Sequence, residues 1–479
     1  MTALIIHGHF YQPPRENPWT GEIDPEPSAA PYHDWNERIH AECYAPNITN
    51  YPHISFNFGP TLLSWLEGKH PDTYQKILDA DKLSATARGG HGNAIAQAYG
   101  HAILPLCNER DQLTQVLWGL ADFRFRFGRE AESLWLPETA ANDHVLALLI
   151  EQGLRYVILA PNQAKGAIDS SKPYLFRHPD GSGRSLAVFF YNGPLARAIA
   201  FERALASSKG LVELFIKAAQ AGSLVNVATD GETYGHHFKF GDLCLAHALE
   251  VEAKTAGFWI TNYAEYLDRH PPSQEVEIDN GPDGEGSSWS CVHGVARWSR
   301  DCGCHTGGEP GWHQKWRQPL REAFNFLRDD AAMKFESVGA ELLSDPWAAR
   351  NQYIGVILDP EHVRDEFLKR HALDLSEESR VWDLLEMQRS ALLMFTSCGW
   401  FFSDVAGIET IQVIRYAARV VDLMNRLGLE PPLKRFLEIM AEAKSNRVEK
   451  GNGADLFLAT YKRGFTTDDA WGNRSASLR

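Results

Sequence analysis

The chain has 479 residues, 44% of them hydrophobic and 23% charged, with a formal net charge of −15. That length exceeds what one hydrophobic core usually serves, so one large domain and a second are expected. The acidic balance argues against a nucleic-acid partner, which needs a basic face, and no apolar run reaches the roughly 18 residues of a membrane span.

The first residues, MTALIIHGHFYQPP, have no basic flank, and their apolar run Ala3–Ile6 is too short for a signal peptide. Seven cysteines without a regular framework fit a reducing compartment, so the cytoplasm is the expected location. Strand-like runs then alternate with helical patterns. Strands are predicted at Ala3–Ile6, Ile54–Phe58, weakly within Ala85–Ala98, then Ser133–Leu136, Tyr156–Leu159, Leu186–Tyr191 and Leu224–Ala228. Helices are predicted at Arg110–Phe127, Asp143–Gln152, Phe201–Ala221 and His237–Thr255. Seven strands with interleaved helices suit a parallel α/β barrel or a doubly wound sheet. Chemistry gathering just after the strands leans toward the barrel.

From about Pro271 the texture changes. A Gly/Asp/Ser loop, Asp279–Ser288, leads into a Trp- and Gly-rich stretch. Helices follow at Pro319–Arg328, Pro346–Ile357, Pro360–His371, Ser376–Cys398, Thr410–Leu427 and Pro431–Ser445, several opening on Pro as first turns favour. The tail after Val448 is polar and Gly-rich and is expected to be loose. The expected organisation is a barrel over residues 1–270, a loop region over 271–318 and a helical domain over 319–479.

Two strand ends present a carboxylate: Trp135-Leu136-Pro137-Glu138, and Asp230-Gly231-Glu232 at the end of a Val-rich run. Cleaving a glycosidic bond needs two carboxyl groups, one to donate a proton and one to attack or to activate water. Taken singly, each acid could equally cap the helix that follows it. With 14 Trp, 15 Tyr and 24 Phe available to stack on sugar rings, the pair suggests sugar chemistry.

Other candidates surround these two. His7 and His9 form an H-x-H at a strand end with Gln12 close behind, and could bind a divalent metal with Asp230, His236 and His237, or hydrogen-bond sugar hydroxyls, or be satisfied core residues. The Gly-rich run that carries His91, with His101 beyond it, suits a wall near substrate or a plain tight turn. Between Trp289 and His313 lie three Cys and three His, which raise the prospect of a structural zinc. No C-x-x-C pair exists there, and Cys302-Gly303-Cys304-His305 lacks a matching partner pair. A loop packing Trp289, Trp298 and Trp312 over a cleft is the preferred reading.

In this order the motifs resemble glycoside hydrolase family 57. The family's H-x-Q-P-like motif is matched by His9-Phe10-Tyr11-Gln12-Pro13, its W-x-x-E-like motif by Trp135–Glu138, and its D-G-E-x-x-G motif by Asp230–Gly235. The resemblance implies an incomplete (β/α)7 barrel followed by a helical region. It implies Glu138 as nucleophile and Asp230 as acid/base of a retaining, metal-independent reaction on α-linked glucans, by hydrolysis or transfer. His9 would contact the sugar beside the scissile bond. His7, Gln12, His91, His101, Trp135, Glu232, His236, Trp289 and Trp312 join it as expected substrate contacts. No cofactor is expected. The chain departs from the family where Asn93 follows Gly92 and where Thr233-Tyr234 replace a common Lys-Phe pair. Two rival readings remain: a metal-dependent deacetylase- or α-mannosidase-like hydrolase using His7, His9 and Asp230, and a non-catalytic glycan-binding protein.

Overall fold

A computed structural model describes residues 1–468. It contains nine strands: β1 (Ala3–Phe10), β2 (Ser55–Phe58), β3 (Ala96–Gln97), β4 (Leu134–Trp135), β5 (Tyr156–Leu159), β6 (Tyr174–Arg177), β7 (Ser185–Phe190), β8 (Leu224–Asp230) and β9 (Trp259–Ile260). β1 is parallel to both β2 and β8, β3 to β4, and β5 to β7. Parallel bridges Phe56–Ala94 and Ser133–Tyr156 link these groups, and the Asn192 amide bonds the Asn226 carbonyl from the end of β7 to β8. The order β1-β2-β3-β4-β5-β7-β8 therefore runs round a seven-stranded parallel barrel that returns to β1.

β1 is buried along its whole length, and β8 is buried up to Asp230. Parallel strands covered on both faces carry continuous apolar runs, which is why both were readable. β6 and β9 were not foreseen. β6 is a short antiparallel addition to β7, and β9 pairs with only two residues of β1. Of the expected helix Phe201–Ala221 the α-helical part is Ser208–Ala218, and a separate helix that was not expected, Gly193–Phe201, ends where it was to begin. The chain breaks between them at Arg203, which has φ +60°, and Ser207 caps the second helix through the Gly210 amide.

The chain divides into two compact units that are not contiguous in sequence. The first comprises residues 1–12, 25–99 and 122–294; the second comprises 13–24, 100–121 and 295–479. The expected division, by contrast, is contiguous in sequence. Long-range pairing, invisible in local patterns, draws the two early segments into the second unit. Trp19 donates its indole N–H to Asp422, Gln412 to the Glu16 carbonyl, and Arg350 to Asp111.

The second unit is helical. Its longest helix, Arg317–Leu342, extends well past the expected Pro319–Arg328, while Pro360–His371 falls where expected, with Asp359 capping it. The tail expected to be loose forms a helix over Gly453–Asp468, and residues 469–479 lie outside the described residues. Among the described residues no helix is long and apolar enough to cross a membrane.

Candidate active site

Register sets the first layer of the site. Asn57, His9 and Asp230 are Cα partners across β2, β1 and β8, so they form one row near the carboxyl ends of three parallel strands. His7 lies two residues back on the same face as His9. The His7 nitrogens pair with Ser55 Oγ at 3.0 Å and Asn57 Oδ1 at 3.1 Å. Burial pushes both the His7 and His9 imidazoles down to about 3, against the opposing hydrogen bond with Asn57. Both rings are therefore neutral near pH 7. Trp135 stacks on them, with ring centroids 4.7 Å from His7 and 5.0 Å from His9. With both nitrogens engaged, His7 has no lone pair left for a metal, which counts against a centre made of His7, His9 and Asp230.

Glu138 sits just beyond β4 in an unusual backbone. It has φ +59°, and Thr139 follows at φ +50°. Left-handed conformations at two consecutive non-glycine residues cost roughly 1–3 kcal/mol each and tend to gather at functional sites. The surroundings hold them in place. Thr139 exchanges hydrogen bonds with Gln163, and residues 287–289 pair with the backbone of 138–141. The same loop supplies two donors to one carboxylate oxygen: Trp289 Nε1 at 2.9 Å and Ser290 Oγ at 2.6 Å from Glu138 Oε2. That is an arrangement an ionised carboxylate accepts well.

Asp230 ends β8. Its carboxyl is pushed up to about 7, first by burial and then by the Glu138 charge. The side chain keeps an exposed surface, so the upward shift reflects enclosure by neighbouring protein together with a nearby anion rather than sealing in the core. Tyr191, the residue after β7, feels the Asp230 charge and has its phenol pushed up as well, chiefly by burial. Glu232 is buried and accepts from the Tyr11 amide at 3.1 Å and the Tyr44 hydroxyl at 2.8 Å. Burial and then the Asp230 charge push it up to about 8.

The site thus brings together Glu138, Asp230, His7, His9, Trp135, Glu232 and Trp289. Within this group His7 and Glu232 hydrogen-bond protein partners, Ser55 and Asn57 for His7 and Tyr11 and Tyr44 for Glu232. Gln12 donates to the Tyr11 carbonyl. His91 does not join the group. It pairs with Glu132 and Asp268, and Glu132 lies before β4, at the end of the strand opposite Glu138. His236 pairs with Glu42, its ring edge-on to Trp35. His101 and Trp312 belong to the second unit, where His101 bonds Ser397 and Arg447 lies over Trp312.

Sequence reasoning missed Asn57, Tyr191 and the part of Ser290 in holding Glu138. Asn57 and Tyr191 had a signal, since both stand at the carboxyl ends of strands. Among the described residues Glu37, His40 and His70 present metal-ligand atoms within 4.8 Å of one another, but His70 is already paired with Glu37, and His40 with the Thr73 hydroxyl.

Residues 30–279 match the family model "Glycosyl hydrolase family 57", and residues 312–469 match a domain of unknown function, DUF3536. An alpha-amylase of Pyrococcus abyssi is 25% identical over 267 residues, 53% of this chain and 39% of the relative. A 4-alpha-glucanotransferase of Thermococcus litoralis is 23% identical over 255 residues, 51% of this chain and 37% of the relative. The chain thus spans about two fifths of the length of these curated relatives. An exo-type maltose-forming amylase from Pyrococcus sp. ST04 shares the fold, with a TM-score of 0.68 at 16% identity over 96% of this chain and 83% of that one.

Proposed function

For a chain that belongs to glycosyl hydrolase family 57, we propose a retaining reaction on α-linked glucans with Glu138 as nucleophile and Asp230 as acid/base. The observation that carries this reading is the opposite setting of the two carboxyl groups. Glu138 faces two donors on one oxygen, while Asp230 has its carboxyl pushed up to about 7 by burial and by Glu138 itself. One group is then ready to attack while the other still holds a proton near neutral pH.

In this reading Asp230 protonates the departing glycosidic oxygen as Glu138 attacks the anomeric carbon. Once Glu138 is esterified its charge is gone, and with it the second cause of the raised Asp230 value. Asp230 then releases its proton more readily and serves as base for the incoming water or sugar hydroxyl. Trp289, packed edge-on against the buried Trp135, supplies an aromatic face beside the pair, and an oligo- or polysaccharide is the partner it fits. The seven cysteines are all thiols, which suits a reducing compartment such as the cytoplasm.

Azide chemistry on small-side-chain variants tests the roles. With an activated α-glucoside, Glu138→Gly should give the β-glycosyl azide, the product of one displacement. Asp230→Ala should give the α-azide, since azide then opens the glycosyl-enzyme. Turnover by either variant near that of the unaltered protein, or the same azide anomer from both, would refute the assignment.

A further inference from the structure

We propose that the second, helical unit binds one phosphate group in a pocket held by Arg110, Arg328 and Arg350. The pocket is open to solvent and has a volume of about 290 Å³; Asn108, Trp347 and Gln388 also line it. All of these residues belong to the second unit. Three guanidinium groups meet a single carboxylate there, Asp111, in a chain whose formal net charge is −15. Arginine matches phosphate oxygens well, because its planar fork presents paired donors with a fixed charge. The pocket is smaller than the ~300–1,000 Å³ that drug-sized ligands fill, so it suits a small anion and not a sugar chain.

Arg350 is the buried member of the set, only 2% exposed. Its Nη1 donates to Asp111 at 2.8 Å and to Gln388 at 3.1 Å. Its Nη2 donates to the Thr114 hydroxyl at 2.7 Å and to the Arg110 carbonyl at 3.0 Å. Its Nε has no acceptor, and a buried donor without one is costly. Arg110 and Arg350 both hold their guanidinium over the Trp347 ring, 4.3 and 4.4 Å from its centroid. Two like charges are thus kept close together. Burial opposes the Arg350 charge, Asp111 offsets only part of that, and Arg110 adds to the opposition. An anion among the three arginines removes the conflict.

The acids that touch the other two arginines do not line the pocket. Glu336 accepts from Arg110 at 2.7 Å and Asp329 from Arg328 at 2.8 Å, and these acids are 46% and 62% exposed. Ion pairs this open to water contribute little, so both arginines can turn to a more highly charged ligand. The lining draws on the helix that opens at Glu109 and on Arg317–Leu342, Pro346–Gln352 and Glu378–Leu393. A bound phosphate therefore ties four helices together and stabilises the unit. Free phosphate and the phosphate end of a small ester present the same chemistry to the pocket. Neither depends on the roles of Glu138 and Asp230.

The test is titration calorimetry of the full-length protein in a low-salt, phosphate-free buffer near neutral pH, with inorganic phosphate and glucose 1-phosphate as separate probes. We expect one probe molecule per chain with a Kd of about 1 mM or below. The tighter of the two probes identifies the source of the phosphate. Arg110→Gln and Arg328→Gln should each weaken binding by about tenfold, while Arg435→Gln, at an exposed arginine outside the pocket, should leave it unchanged. These variants keep the Arg350 hydrogen bonds, which Arg350→Gln would break. Saturating phosphate should also raise the urea unfolding midpoint of the unaltered chain. No binding of either probe at about 10 mM, unchanged affinity in both the Arg110 and Arg328 variants, or acetate bound as tightly as phosphate would each overturn the proposal. Binding is read without turnover, so a failure of the Glu138 assignment leaves it standing.

Discussion

Trp289 donates its indole N–H to Glu138 Oε2 at 2.9 Å from 151 positions further along the chain, and Ser290 reaches the same oxygen at 2.6 Å. A loop that follows the barrel strands therefore completes the environment of a carboxylate at the end of β4. Each bond to a charged acceptor is worth about 1.5–3 kcal/mol. Trp289→Phe keeps the ring and removes the N–H, and Ser290→Ala removes the hydroxyl. Each should lower kcat/KM by about tenfold to a hundredfold. The double variant should lose less than the product of the two, because both donors serve one oxygen. Initial rates on maltooligosaccharides check this.

The alkaline limb of the rate profile should report Asp230. Its carboxyl is pushed up to about 7, so the proton donor is present below that pH and lost above it. The expected kcat/KM falls with a single ionisation near pH 7. Glu138 contributes to the shift, so Glu138→Gln should move the Asp230 ionisation down. Carbon-13 NMR of labelled aspartate reads this in the inactive variant. An ionisation that does not move with Glu138→Gln would mean the two groups are electrostatically independent.

Gly235 closes the motif that begins at Asp230, and a side chain cannot take its place. Its φ is +138°, and a Cβ built there would lie 2.3 Å from the Glu42 carbonyl oxygen. Gly235→Ala therefore combines backbone strain with a clash against main chain. A loss of ~2–4 kcal/mol is expected, seen as a lower midpoint in urea unfolding. A midpoint equal to that of the unaltered protein would show that the loop relaxes freely.

Much of the barrel was legible because parallel strands buried on both faces must be continuously apolar, as Leu224–Ala228 is. Glu138 and Asp230 stood out as a pair, two strand ends each presenting an acid beside Trp or His, since either acid alone could have capped the helix after it. What stayed hidden depends on partners distant in sequence. β3 is only Ala96–Gln97, held by β2 and β4 rather than by its own propensity. Nothing local in residues 13–24 or 100–121 announces that they pack with the helical unit. His91 looked like a wall of the substrate site because it sits among glycines, yet those glycines precede a strand, and the ring pairs with Glu132 at the wrong end of β4. The break in the expected Phe201–Ala221 helix was readable in principle, since Ser207 is a favoured cap for a new helix.

Glu232 carries a pH dependence of stability with a definite sign. It is buried, and burial followed by the Asp230 charge pushes its carboxyl from 4.5 up to about 8. The folded chain thus holds this proton more tightly than the unfolded chain does. Its contribution is fully favourable below about 4.5, declines as pH rises toward about 8, and is level above that. Glu232→Gln keeps an oxygen for the Tyr11 amide and the Tyr44 hydroxyl and cannot ionise. The stability of the variant relative to the unaltered protein should therefore improve steadily between pH 5 and pH 8 and then level off. Urea unfolding midpoints across that range measure the difference directly. A constant offset across those pH values would show that Glu232 ionises in the folded chain as it does in the unfolded one.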